Sequence, residues 1–170
     1  MTTESVAPEM LNAWVIYLRA EGEARRRGDR RTGTEHLVLA LLEDPLVEGA
    51  LGVNLDQARR GLVSLDREAL GALGLESDLD APPLPMRTVP VKPGFRDVAR
   101  KDRLRMTPAA KKVLERASKS NRRRLYVTAK QLLDQILALR PPDPAAVLLG
   151  ALGVDGYEVR RRLEAVDPGS

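Results

Sequence analysis

The sequence contains no cysteine, a single histidine and few aromatic residues among its 170 residues. The lack of cysteine excludes disulfides, thiolate zinc sites and a cysteine nucleophile. One histidine, His36, leaves few options for metal binding or acid–base catalysis. Because aromatic residues make up only 3% of the chain, we expect a core of Leu, Val, Ile and Ala, a composition that favours helices. The sequence therefore predicts an all-α protein with no metal and no cofactor.

Long hydrophobic runs are also missing. The longest, at residues 37–42 and 145–149, fall far short of the roughly 20 residues that a membrane helix needs, and no signal sequence opens the chain. We therefore expect a cytoplasmic protein with no membrane partner. The serines lack a nucleophile-elbow motif, and the chain has no Gly-x-x-x-x-Gly-Lys-(Ser/Thr) phosphate loop. These absences predict that the protein is not an enzyme.

Positive charge is concentrated in one part of the chain. Residues 96–124 contain 12 Lys or Arg and 3 Asp or Glu, whereas residues 32–95 contain 5 and 10. Such asymmetry attracts either nucleic acid or an acidic protein surface. Nucleic-acid readers usually add aromatic stacking residues, yet Arg122, Arg123 and Arg124 are followed by one aromatic residue, Tyr126. The pattern favours a solvated helix face, and a basic nucleic-acid-associated regulatory protein remains the alternative.

An internal repeat organises the chain. Leu51-Gly52-Val53-Asn54 returns 101 residues later as Leu152-Gly153-Val154-Asp155. Each motif ends a helical segment, with two helical segments before that one and one after it. The spacing predicts two four-helix units at residues 9–74 and 105–166, related by a pseudo-twofold. A proline-rich connector is predicted at 75–104, with flexible ends at 1–8 and 167–170.

Local sequence signals predict where the helices begin and end. Thr107 before Pro108 is a helix start, and Gly52 and Gly153 are predicted to end helices in a left-handed conformation. Two capping boxes are predicted, at Thr32-x-x-Glu35 and Thr128-x-x-Gln131. Two apolar stripes are predicted to be buried, the first including Trp14 as a core residue: Leu11, Trp14, Val15 and Leu18, and Ala110, Val113, Leu114 and Ala117.

The run Gly33-Thr34-Glu35-His36-Leu37-Val38-Leu39-Ala40-Leu41-Leu42, with Leu-Gly-Val about ten residues on, resembles the repeated motif of the amino-terminal domain of the Clp ATPases, the Clp repeat domain. The second half resembles it through Met106-Thr107-Pro108-Ala109-Ala110-Lys111-Lys112-Val113-Leu114-Glu115. The resemblance implies a non-catalytic module that binds a Clp chaperone, an adaptor or substrate polypeptides. Because the phosphate loop is missing, we expect a free-standing recognition module, an adaptor or decoy in regulated proteolysis.

The resemblance also indicates site residues. In ClpC-type relatives that bind phosphoarginine, the motif glutamate and a threonine at the start of the first helix contact the ligand. Glu35 matches that glutamate in the first half, but the second half has Lys130 there. Thr107 matches the threonine in the second half, and the first half has Met10 at the position taken as equivalent. The resemblance therefore does not extend to phosphoarginine binding at two sites.

The candidate binding residues are thus Glu35, Thr107, Lys130, Tyr126 and the Arg122–Arg124 cluster. Each also has a structural interpretation. The capping-box spacing explains Glu35 as a helix-start residue, which we favour. Arg25, Arg26 and Arg27, like Arg122 to Arg124, come at the carboxyl end of a predicted first helix, where cations interact favourably with the helix dipole. A lone His36 is expected to be a packed, hydrogen-bonded helix residue.

Overall fold

A computed structural model describes residues 10–74, 103–119 and 126–166. Eight helices account for most of them: α1 (Ala13–Arg27), α2 (Thr34–Leu41), α3 (Pro45–Leu51), α4 (Leu55–Ala72), α5 (Pro108–Lys119), α6 (Ala129–Leu137), α7 (Pro144–Ala151) and α8 (Gly156–Val166). Four short strands accompany them: β1 (Met10–Asn12), β2 (Arg31–Thr32), β3 (Arg105–Met106) and β4 (Tyr126–Thr128). The prediction of a predominantly helical chain is confirmed, and the strands are the part that it missed.

Most of the predicted helix boundaries agree with the structure. Thr107 Oγ1 accepts a hydrogen bond from the Ala110 N–H, and Thr128 and Gln131 form the predicted capping box. Gly52 and Gly153 both have φ of +70°, the left-handed region that favours glycine. Helix α4 extends to Ala72, and helix α1 begins at Ala13.

The predicted capping box at Thr32 and Glu35 is wrong. Helix α2 begins at Thr34, so Gly33 is its N-cap, and the third helical residue is His36 rather than Glu35. The Gly33 N–H donates to His36 Nδ1 at 3.0 Å. A histidine therefore satisfies the N-cap N–H, which in the equivalent turn of α6 is satisfied by Gln131.

The caps of corresponding helices recur at nearly constant spacing. Asn12 Oδ1 accepts from the Trp14 N–H at the start of α1, 95 residues before Thr107 at the start of α5. Gly33 and Thr128 precede α2 and α6, again 95 residues apart. At this spacing Asn12, rather than Met10, aligns with Thr107.

The hydrophobic core is continuous through both halves. Helix α2 packs against α1, α4, α5, α6 and α7, so it lies at the centre of the molecule. The largest fully buried apolar side chains come mainly from α2, α6 and α7: Leu37, Leu39, Leu41, Leu132, Leu133, Ile136 and Leu148. The core is aliphatic, as the composition predicts.

The stripe predicted for α1 is wrong, whereas the α5 stripe is confirmed. Ala110, Val113, Leu114 and Ala117 are all buried. In α1, Ile16, Ala20 and Ala24 are buried with Glu21 and Glu23, and 45% of Trp14 is exposed. The buried face of α1 therefore consists of small residues and two glutamates. These glutamates can be buried because each forms an ion pair with a partly exposed Arg side chain.

Two small sheets join the first half to the second. Strand β1 pairs antiparallel with β4, and β2 pairs parallel with β3. The Thr107 N–H then donates to the Thr32 carbonyl at 2.9 Å. Each sheet therefore brings the start of one helix from each half together: α1 with α6, and α2 with α5.

Parts of the predicted organisation lie outside the described residues. These are the end segments 1–8 and 167–170, and the connector from 75 to 102. Arg103 and Leu104, assigned to the connector, contact α1 instead. Within the described ranges, no helix has the length and apolar character needed to cross a bilayer.

Candidate functional site

The β2–β3 pairing places Glu35 and Thr107 at one junction between the halves. Glu35 is in the first turn of α2, and Thr107 immediately precedes α5. The hydrogen bond from Thr107 to the Thr32 carbonyl links the two helix starts. Sequence reasoning compared a glutamate and a threonine within the same repeat and found no complete pair. The structure combines the glutamate of the first half with the threonine of the second.

The environment of Glu35, in the part of the chain that the structure describes, leaves one oxygen of its carboxylate without a donor. His36 is fully buried, and its Nδ1 accepts from the Gly33 N–H, so this nitrogen carries no hydrogen. The Nε2 N–H then donates to Asp29 Oδ2 at 2.9 Å. Glu35 Oε1 lies 3.2 Å from the same Nδ1, and Glu35 Oε2 is buried with no hydrogen-bond partner among the described residues. A buried carboxylate oxygen in this state is unfavourable unless a cation or donor reaches it.

Glu35 also constrains its neighbour. The carboxylate folds back over Gly33, so closely that a Cβ at residue 33 would overlap both carboxylate oxygens. Glycine is therefore required at this N-cap while Glu35 keeps this position.

Asp29, Glu35 and His36 form a group of potential metal ligands. However, Asp29 contacts Nε2 and Glu35 contacts Nδ1, on opposite sides of the imidazole ring. A single ion bound to one nitrogen, at about 2.0–2.1 Å, cannot replace both contacts. The arrangement fits a hydrogen-bonded histidine, as the sequence predicts for His36.

Lys130 and Tyr126 lie near the second junction between the halves, where β1 pairs with β4. Tyr126 begins β4, opposite Asn12 of β1, and Lys130 is in the first turn of α6. Lys130 occupies the place in α6 that Glu35 has in α2, since each is two residues after its N-cap. It lines a pocket of about 300 Å³ between α6 and α8, together with Asp134, Arg160, Leu163 and Glu164. The two junctions thus carry opposite charges.

Trp14, Tyr17 and Arg103 form a surface cluster, whereas the sequence was interpreted with Trp14 in the core. The Arg103 guanidinium carbon lies 4.3 Å from the centre of a Trp14 ring, and the Trp14 and Tyr17 rings are 5.2 Å apart. The helical spacing of Trp14 and Tyr17 is a signal in the sequence, but Arg103 lies 89 residues after Trp14 and outside any recognisable motif. Only the fold brings it there.

Hydrogen bonds tie this cluster to α1. The Tyr17 hydroxyl donates to the Leu104 carbonyl at 2.7 Å, and the Leu104 N–H donates to Glu21 Oε1 at 3.1 Å. Burial raises the pKa of the Tyr17 hydroxyl, and the neighbouring Glu21 carboxylate adds to this effect. Tyr17 therefore stays protonated and keeps donating to the segment that carries Arg103.

Glu23 is the centre of a second charged cluster, between α1 and α4. Arg59 Nη2 lies 2.6 Å from Glu23 Oε1, and Arg26 Nη2 lies 2.9 Å from Oε2. Burial favours a higher pKa for Glu23, but hydrogen bonds from Arg59 and Arg26 outweigh burial and lower the pKa. All partners belong to the first half, so this cluster stabilises the packing of α4 on α1.

The basic stretch includes an exposed stripe along α5. It consists of Lys111, Lys112, Arg116 and Lys119, which line a shallow 480 Å³ depression with Pro108 and Glu115. Among the described residues, one ion pair involves the stripe. It joins Lys111 Nζ to Glu115 Oε1 at a long separation of 3.8 Å. Arg122, Arg123 and Arg124, the predicted continuation of this surface, lie outside the described residues.

No family model matches this chain, and no curated protein matches it. The resemblance to the Clp repeat domain therefore depends on the two motifs named above.

Proposed function

We propose that this chain is a non-catalytic protein-binding module, built like the Clp repeat domain from two four-helix units related by a pseudo-twofold. It would act as an adaptor or decoy in regulated proteolysis. The observation that carries the proposal is the reciprocal packing of the two halves. A pseudo-twofold relates β1 to β3 and β4 to β2, so pairing of β1 with β4 implies pairing of β3 with β2. Both pairs are present.

The helix contacts support the same relationship. The pseudo-twofold relates α2 to α6, α3 to α7 and α4 to α8. The α2–α7 contact has its counterpart in α6–α3, and the α4–α7 contact has its counterpart in α8–α3. The strand directions depart from it, since one pair is antiparallel and the other parallel. A duplicated arrangement that diverged at its strand junctions accounts for both observations.

The junction at Glu35 is the proposed contact for a polypeptide side chain. The resemblance implies guanidinium recognition by a glutamate with a threonine, and Glu35 and Thr107 lie at the same junction between the halves. The buried oxygen of Glu35 has no partner among the described residues, so an arginine side chain of a bound polypeptide would neutralise it. Lys130 at the other junction repels such a group, which favours one site rather than two.

Affinity capture from a native lysate, followed by mass spectrometry, tests the function. We expect the wild-type chain to enrich a Clp ring subunit or its clients. Glu35→Gln is expected to reduce this capture, whereas Glu68→Gln, an exposed change on α4, serves as the matched control. Equal capture by both variants would remove Glu35 from the mechanism. Turnover of a small substrate by the purified chain would contradict a non-catalytic module.

The α5 stripe supports a second candidate, a nucleic-acid-associated regulatory protein. Four cations on one exposed helix face can approach a phosphate backbone, and such binding weakens steeply with salt because counterions are released. Fluorescence anisotropy with labelled duplex DNA at low and high salt separates the candidates. Tight, strongly salt-dependent binding that is lost in Lys112→Glu/Arg116→Glu would favour this second candidate, and no binding at low salt would remove it.

A further inference from the structure

The Trp14 side chain is partly exposed and is in contact with a cation. It is the only tryptophan in the sequence, and 45% of it is exposed. One face of its ring is covered by the Arg103 guanidinium, whose carbon is 4.3 Å from the ring centre. Stacking of this kind holds a guanidinium in a defined orientation without using its hydrogen-bond donors.

Those donors are not used elsewhere in the described part of the chain. Arg103 forms no ion pair there, and its Nε is buried without a hydrogen-bond partner. A buried, unpaired N–H is unfavourable by the full cost of its lost hydration. The planar edge of a guanidinium, with Nε and a terminal nitrogen side by side, matches the two oxygens of a carboxylate.

The surroundings hold Arg103 in place, and no carboxylate of the described ranges forms an ion pair with it. The next residue, Leu104, is bonded at its carbonyl by Tyr17 and at its N–H by Glu21, so the backbone beside Arg103 is fixed to α1. Glu21, which accepts from the Leu104 N–H, is paired with Arg25 at 2.6 Å. Preorganised donors lose little freedom on binding, which favours affinity.

We propose that Arg103 and Trp14 form a docking site for an acidic segment of a partner polypeptide. An Asp or Glu carboxylate of the partner binds the Arg103 guanidinium, and a neighbouring apolar side chain contacts the exposed part of the indole. The site deepens the proposed function by naming the chemistry of the partner. The net positive charge of residues 96–124 also favours a negatively charged partner. Nucleic acid fits less well, because Arg103 and Tyr17 already occupy the surroundings that a stacking base would need.

The single tryptophan makes the test direct, because all indole emission comes from Trp14. The probe is the peptide Asp-Glu-Leu-Asp-Glu-Leu. The unlabelled peptide is used when tryptophan emission is measured, and a fluorescein-labelled peptide is used for anisotropy. The matched neutral peptide is Asn-Gln-Leu-Asn-Gln-Leu. We expect the acidic peptide to bind and to change the Trp14 emission, and the neutral peptide to bind at least about tenfold more weakly.

Matched arginine variants localise the contact. Arg103→Gln is expected to weaken binding of the acidic peptide about tenfold or more, since it removes the stacked donors. Arg105→Gln removes an equal charge from an exposed position two residues away, and is expected to weaken binding less than about twofold. Arg103→Lys keeps the charge but not the planar fork, and is expected to resemble Arg103→Gln. Thermal unfolding of each variant checks that the chain still folds.

Four results would overturn the proposal. They are no binding of the acidic peptide, equal losses in Arg103→Gln and Arg105→Gln, binding with unchanged Trp14 emission, and duplex DNA displacing the peptide while giving the larger emission change. Capture of a Clp ring subunit is a separate measurement. A chain that captures the ring but ignores the acidic peptide would retain the proposed function and lose this site.

Discussion

His36 shows how one side chain can set a helix start. It is fully buried, accepts from the Gly33 N–H and donates to Asp29. The sequence identified it as a packed residue, because a lone histidine has no metal-ligand partners at a recognisable spacing. Its role as the residue that satisfies the N-cap could not be foreseen, because Thr32 and Glu35 offered a more familiar capping pattern.

His36→Ala is expected to lower the free energy of unfolding by about 2–4 kcal/mol, because it leaves a cavity and an unpaired N–H at Gly33. Urea unfolding measures the change. Tyr157→Ala, at a residue 72% exposed on α8, is the control and is expected to cost less than about 0.5 kcal/mol. A cost below about 1 kcal/mol for His36→Ala would show that the N-cap bond contributes little.

Glu23 makes the folding stability of the protein depend on pH in the acidic range. Its pKa is lower in the folded chain than in the unfolded chain, so its ion pairs stabilise the fold above the unfolded pKa, near 4.5, and are lost as the pH falls through the folded value. We expect Glu23→Gln to destabilise the protein by about 1–3 kcal/mol near neutral pH. This difference from the wild type should shrink progressively below about pH 4.5.

Urea midpoints of both proteins, measured across the acidic range, test this. Glu164→Gln, a change at an exposed residue of α8, is the control and should differ little from the wild type at every pH. A Glu23→Gln difference that stays constant down to the lowest pH would contradict the assigned role of the carboxylate charge.

Helix α4 contains two glycines with different surroundings. A Cβ at Gly61 would lie 3.1 Å from Leu152 Cδ2 and 3.2 Å from Leu148 Cδ1, whereas one at Gly71 meets nothing within 4 Å. Gly61 therefore allows α7 to approach α4 closely. Gly71 has no such role, although both residues are glycines within the same helix.

Gly61→Leu is expected to destabilise the protein by about 1–3 kcal/mol, because the added side chain enters the α4–α7 contact. The matched change Gly71→Leu is expected to be neutral or to stabilise by up to about 1 kcal/mol, since it only improves helix propensity. Thermal unfolding of both variants measures the difference. Equal effects would mean that α4 and α7 separate without cost.

The α1 helix shows the limit of periodicity. Its sequence offers two faces, one with Trp14 and Leu18 and one with Ile16, Ala20 and Ala24, and hydrophobicity favours the first. The structure buries the second, because small residues permit the close approach of α2 and because Arg25 and Arg26 compensate the glutamates on that face. Local sequence contains no information about either partner helix.

At the scale of the whole molecule, strand pairing and α2 connect the halves. Thr34 Oγ1 also donates to Asp143 Oδ1 at 2.7 Å, linking the start of α2 to the N-cap of α7. With a shared core and contacts of this kind, neither half buries its apolar face alone.

We therefore expect one cooperative unfolding transition for the entire chain. Trp14 emission reports on the first half, and far-UV circular dichroism reports on all helices, so the two urea midpoints should coincide. Thr34→Val should shift both midpoints together to lower urea, while Ser64→Ala on exposed α4 should shift neither. Separate midpoints would show that the halves unfold independently.

The sequence by itself determined the helical class, the aliphatic core and most helix starts, because caps such as Thr107, Thr128 and Asn54 act on backbone groups two or three residues away. The tertiary structure alone decided that Glu35 and Thr107 lie at one junction and that Arg103 stacks on Trp14. These pairs are 72 and 89 residues apart, and strand pairing and helix packing, not local propensity, bring them together. The candidate site therefore emerged from contacts between the halves, whereas the elements that carry it were already visible in each half.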